Sequence, residues 1–148
     1  MTDLRALAHL SGIEQLRLGF QNGDAAPIAQ TLDFRLVHVE EGLVRFESTP
    51  SRAVYNPIGT VHGGYIATLL DSACGCVVHS MLKPGQAYTS LEIKTVFHRA
   101  LTEGTPVVTE GRIVQIGRRA AFAEASLKGA DGKLYATATS TCLVMEAP

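Results

Sequence analysis

The run NPIGTVHGGYIATLLDSACGCVVHSML, Asn56 to Leu82, decides how the rest of the chain must fold. From Gly63 onward, roughly 20 residues are apolar on most sides, the pattern of a helix surrounded by protein rather than lying on a surface. At 1.5 Å per residue it is about 30 Å long, and Pro84-Gly85 stops it. Thr68, Asp71, Ser72, Gly75 and His79 fall within about 100° of one another, one narrow stripe on a greasy rod.

The flanks supply what surrounds that rod. Upstream, residues 31 to 40 and 42 to 48 read as a hairpin split at Glu41-Gly42, with Val44 and Phe46 alternating with Arg45 and Glu47. Downstream, strands are expected over 87 to 98, 106 to 116, 119 to 128 and 133 to 145. The turns at Gly117-Arg118 and 130 to 132 make the last three an antiparallel meander. Ala121, Ala123, Ala125 and Leu127 share one strand face, and Ala136, Ala138, Ser140, Cys142 and Val144 share another. Sheet faces this small let a bulky element approach closely. The expectation is an α+β fold, a curved antiparallel sheet wrapped around one long central helix. Before it, residues 3 to 20 suit one or two short amphipathic helices broken at Ser11-Gly12, and 21 to 27 form a turn-rich linker. The division is a 1–30 helical extension and a single 31–148 domain.

Composition narrows the function. The chain has 148 residues, 46% apolar and 18% charged, with a net charge of -1, so it is one domain with no basic footprint for nucleic acid or an anionic membrane. Three cysteines make no disulfide framework, and Cys74 and Cys76 point about 200° apart on a helix. The N-terminus lacks a signal peptide's apolar run, and Asp71 interrupts the longest apolar stretch, which points to a cytoplasmic protein. His9, His38, His79 and His98 lack metal-ligand spacing and read as structural, His79 bonding within a dimer interface. No metal site is expected. An esterase oxyanion loop is excluded because no G-x-S-x-G elbow accompanies HisGlyGly.

Gly63 and Gly64 open the helix where backbone N–H groups have no intrahelical acceptor and the dipole favours negative charge. Glycine there admits a ligand atom to the backbone, as a polarised carbonyl oxygen requires, although it also suits a tight loop-to-helix junction. Asp71 is a carboxylate on an apolar helix, either turned to solvent or employed as a base or nucleophile. Eight residues place Asp71 about 12 Å along the axis and about 80° around it from Gly63, so one helix cannot aim both at one carbon. Two antiparallel copies in a twofold dimer can. The spacing therefore predicts a site shared between subunits.

The AsnPro…HisGlyGly…Asp pattern of residues 56 to 71, followed by strands with small inward faces, resembles the PaaI-like branch of the hotdog-fold acyl-CoA thioesterases over roughly residues 35 to 145. The resemblance implies that the Gly63 N–H, with Gly64 beside it, binds the thioester carbonyl and that Asn56 and His62 orient it. Asp71 from the partner subunit would activate water or attack directly. Ser90 is the match for a serine or threonine assisting the water, with Thr89 next to it. Strand alternation with Glu92 and Lys94 turns Ser90 to solvent equally well. Arg118 and Arg119 match the turn that takes CoA phosphates, or are surface charge; His98-Arg99 is a weaker phosphate candidate. Tyr65, Leu69, Tyr55 and Phe97 are candidate walls for the acyl group.

The function expected is hydrolysis of an acyl-CoA to free acid and CoA, with CoA as part of the substrate and no other cofactor. The alternatives are a non-catalytic acyl-CoA-binding module and a hotdog-fold acyl-CoA hydratase or dehydratase. The partners expected are the acyl-CoA and further copies of the chain, a dimer at least and a dimer of dimers beyond it, with neither nucleic acid nor membrane.

Overall fold

A computed structural model describes residues 6–147; the start of the expected N-terminal helix, with Leu4, lies outside the described residues. In chain order the elements are α1 (Gly12–Gln21), α2 (Pro27–Thr31), β1 (Phe34–Glu40), β2 (Leu43–Ser48), α3 (Gly63–Ser80), β3 (Gln86–Phe97), β4 (Val107–Ile116), β5 (Ala120–Gly129) and β6 (Leu134–Glu146). The strands form one antiparallel sheet in the order β1-β2-β4-β5-β6-β3. The expected hairpin and meander are both present, joined by the pairing of β2 with β4. β3, which directly follows α3, crosses to the far edge and pairs with β6.

The sheet wraps α3 as the small strand faces predict, giving the hotdog arrangement. Leu69, Leu70, Ala73, Cys74, Val77 and Val78 of the helix are fully buried. Each large side chain among them contributes about 1.5–3 kcal/mol by burial. That packing, rather than propensity, holds a helix containing Gly63, Gly64 and Gly75 together. Ala121, Ala123 and Ala125 of β5 and Ala136, Ala138 and Ser140 of β6 are buried beneath it. On β4 the approach is closest: a Cβ at Gly111 would overlap the Ala73 carbonyl oxygen and stand 2.8 Å from its carbon.

One N-terminal expectation changes, and the break expected at Ser11-Gly12 is a helix start. The strand expected from residue 31 begins at Phe34, because Pro27 starts a single helical turn, closed by the Thr31 hydroxyl donating to the Pro27 carbonyl. Asp33, at φ 52°, then reverses the chain. Ser11 begins a helix: its N–H and its hydroxyl both donate to the Glu14 carboxylate, at 2.8 and 2.6 Å. α1 rests on the end of α3, the Gly12 N–H donating to Leu82 O at 2.9 Å, and a Cβ at Gly12 would overlap the His79 carbonyl.

Candidate active site

The loop before α3 is built to present the helix N-terminus. Asn56 folds it: its Oδ1 accepts the Ile58 and Thr60 N–H groups and its Nδ2 donates to Thr60 Oγ1. The Val61 N–H donates to Leu101 O and the His62 N–H to Val54 O. His62 is the N-cap, its Nδ1 accepting the Gly64 N–H at 2.8 Å. An accepting Nδ1 places the imidazole proton on Nε2, which faces outward as a donor. The Gly64 N–H is thus consumed by the cap, and the Gly63 N–H is left with no acceptor among the described residues. It is the free donor at the positive end of an 18-residue helix. Phe97 stands beside it, with its Cζ 3.0 Å from where a Gly63 Cβ would lie.

Asp71 is exposed, two turns along α3, on the side facing β3. Ser90 Oγ donates to Asp71 Oδ1 at 3.5 Å, a long contact. Simple alternation from Glu92 and Lys94 would turn Ser90 away. A β-bulge reverses the count: Ser90 opposes Cys142 and Glu92 opposes Thr141, leaving Leu91 as the extra residue. Cys142 is fully buried and faces α3, so Ser90 faces that side too. Its own thiol donates to Ser90 Oγ at 3.9 Å. Thr89, opposite Leu143, falls on the outer face of the sheet, away from Asp71.

The rest of the polar stripe divides. Gly75 lies under Tyr88, whose hydroxyl would be 2.5 Å from a Cβ there. His79 bonds Gln15 Oε1 of its own chain through Nε2 at 2.9 Å and stacks edge-on against Tyr88. The bond expected at a dimer interface is made here within the chain, to α1, and burial pushes the histidine pKa down. Thr68 donates to Gly64 O. Burial, reinforced by the Asp71 charge, pushes the Cys74 and Cys76 thiols up to about 12, and burial raises the Tyr88 phenol. Those thiols and the phenol stay protonated near neutral pH, which leaves the Asp71 carboxyl group as the candidate base or nucleophile on this face.

Arg118 and Arg119 are exposed in the β4–β5 turn, closed by the Gly117 N–H donating to Ala120 O, and have no ion-pair partner among the described residues. Ala120 opposes Leu143, and Leu143 opposes Thr89. The arginine turn therefore lies about two strand spacings, roughly 10 Å, from Thr89 and Ser90 across the sheet. His98 is engaged by Thr137 Oγ1 at 2.8 Å. Among the candidate walls, Tyr65 and Leu69 are buried in the core and the Tyr55 hydroxyl accepts the Glu103 N–H. Half-exposed Phe97 stands at the helix N-terminus. Cys142, behind Ser90, carries no periodic signal that separates it from its alanine neighbours.

The thioesterase superfamily profile matches residues 58–136, from the loop before α3 into β6. A thioesterase family protein from Silicibacter pomeroyi is 27% identical, with a TM-score of 0.80 over 93% of this chain and 100% of that one. The smu.793 protein of Streptococcus mutans, solved bound to acetyl-CoA, is 27% identical, with a TM-score of 0.71 over 76% of this chain and 89% of its own. The E. coli PaaI protein shares the fold at 18% identity, with a TM-score of 0.80 over 92% of this chain and 95% of that chain.

Proposed function

The chain belongs to the thioesterase superfamily, and from that premise we propose that it hydrolyses an acyl-CoA thioester at a site shared by two antiparallel copies. The observation that carries this is the division of labour along α3. The unpaired Gly63 N–H stands at one end, and the Asp71–Ser90 pair lies about 12 Å further on. Neither end suffices alone, and a twofold axis beside the helix brings each against the other's complement.

In the proposed reaction the thioester oxygen takes the Gly63 N–H of one subunit, where the helix dipole and the Nε2–H of His62 favour the charge that develops on it. Asp71 of the other subunit, oriented by the Ser90 hydroxyl, takes a proton from water as its oxygen bonds the carbonyl carbon. Collapse of the tetrahedral adduct breaks the carbon–sulfur bond, and the CoA thiolate leaves and is protonated. Asn56 holds the loop that carries His62 and Gly63. Phe97 contacts the chain that reaches Gly63. Arg118 and Arg119, with Thr89, suit the CoA phosphates on the sheet's outer face. The unpaired outer edge of β3 is the surface on which the second copy adds. The acetyl-CoA bound by the S. mutans relative supports this substrate class.

The test is release of free CoA from a panel of acyl-CoAs, followed by a thiol reagent. Hydrolysis of at least one member is expected, and Asp71→Asn should lower kcat about 100-fold or more with little change in KM. No release from any member, or full turnover by the variant, refutes the proposal. Sedimentation showing only monomer at micromolar concentration refutes the shared site.

A further inference from the structure

Ser90 reaches Asp71 only because β3 carries one residue too many. Without the bulge at Leu91, Leu91 would oppose Cys142 and Ser90 would move opposite Leu143, on the outer face. Within one chain β6 is the neighbour with which β3 pairs, so contacts from β6 set the phase of the strand before a second copy adds. We infer that Ser140 of β6 is a positioning residue: it pins the bulge and thereby aims the Ser90 hydroxyl at Asp71. The inference rests on the proposed role of the Asp71–Ser90 pair.

Three contacts around Leu91 carry it. The Ser140 hydroxyl donates to the Glu92 carbonyl at 2.9 Å, immediately after the extra residue. The Thr141 hydroxyl donates to Glu92 Oε1 at 3.0 Å, so Glu92 is held through its main chain on one face and its side chain on the other. Before the bulge, the Cys142 thiol donates to Ser90 Oγ, which leaves the serine's own proton for Asp71. Ser140 is 3% exposed and is the single hydroxyl among the buried residues of the helix-facing rows of β5 and β6, otherwise alanine, leucine, cysteine and valine. A hydroxyl in such a row is costly unless it is bonded, and its short partner is the Glu92 carbonyl, with the Cys142 thiol further off at 3.8 Å. Bulges beside sites re-aim side chains, and this one has a dedicated cross-strand anchor.

Two readouts test it, one independent of activity. In Ser90→Cys, the new thiol faces Cys142 across an antiparallel pair whose Cα separation suits a disulfide, so mild oxidation should join positions 90 and 142, read by peptide mapping. Adding Ser140→Ala should abolish the link by letting position 90 turn outward. Deleting Leu91 as well should restore it, because the strand then reaches the same phase without a bulge. With acyl-CoA, Ser140→Ala should lower kcat by the same factor as Ser90→Ala at unchanged KM. The double variant should be no worse than either, and Ser140→Ala should cost little once Leu91 is deleted. Absence of the link in Ser90→Cys, or its persistence without Ser140, overturns the role of Ser140. Loss of the link with unchanged kcat overturns the role of Ser90 in the reaction instead, and the positioning role with it.

Discussion

Replacing Gly111 with alanine tests how closely the sheet holds the helix, and whether that closeness matters to the site. The added Cβ would lie 2.8 Å from the Ala73 carbonyl carbon and 3.2 Å from its Cβ, besides overlapping the carbonyl oxygen. Optimal carbon separations are about 3.5–4.0 Å, so helix and strand must part by about 0.7 Å or more. The wall it meets is helix backbone, which cannot rotate aside. Overpacking of this kind costs up to about 3 kcal/mol, while removing a glycine from the unfolded chain returns about 0.4–1 kcal/mol. A net loss of about 2 kcal/mol lowers Tm by about 4–8 °C in a domain this size. Because Ala73 is two residues beyond Asp71, the same displacement should carry the carboxylate away from Ser90, and misplacement approaching 1 Å costs up to about 100-fold in rate. Thermal and urea unfolding by circular dichroism, with kcat on the best acyl-CoA, read both effects. Gly117→Ala is the control, since its Cβ would meet only Ala120 O at 3.5 Å, an ordinary contact. A Gly111→Ala protein within about 0.5 kcal/mol of the parent, the range of neutral surface changes, refutes the close-approach reasoning.

Removing the N-cap by His62→Ala should cost about 1 kcal/mol in urea unfolding and lower kcat, since the Gly64 N–H loses its acceptor beside the Gly63 donor. Unchanged stability would show that His62 does not cap the helix. The buried thiols predict an alkaline loss of stability. Between about pH 9 and 12 the unfolded chain gives up protons that native Cys74 and Cys76 retain, so the urea midpoint should fall over that window and fall less steeply in Cys74→Ala. His79 acts at the other end. Its pKa is pushed down by burial, so below about pH 6.5 the unfolded chain takes a proton that the native state refuses, and stability should fall as pH falls. His79→Leu should flatten that limb, and an identical acid limb would remove His79 as its source.

The fold was legible where local pattern carries it. The apolar surround of Gly63–Ser80, the alternation in β2, β5 and β6 and the glycine-bearing turns set the elements within a residue or two. Small rows such as Ala121–Ala123–Ala125 announced the helix that covers them. The expected strand start at residue 31 failed because Pro27 has a local use, opening a helical turn, that strand periodicity does not register. Of the candidate site, the placement of the helix residues was legible: His62, Gly63 and Asp71 sit where their spacing along α3 put them. Its strand half was not, because alternation read backward from Glu92 reverses at Leu91.

What the sequence by itself determined, then, is everything governed by neighbours along the chain: which segments are helix or strand, which faces are apolar, and that Gly63 and Asp71 are too far apart on one helix to share a carbon. Only the tertiary structure decided that β3 lies beside β6, that Gln15 takes His79, and that Ser90 faces Asp71. Each rests on contacts between residues far apart along the chain, and the phase of β3 on hydrogen bonds about 50 positions long, Ser140 to Glu92 and Cys142 to Ser90. Periodicity fixes the face of a strand residue only while the count is unbroken, and a single inserted residue, held from the neighbouring strand, resets it.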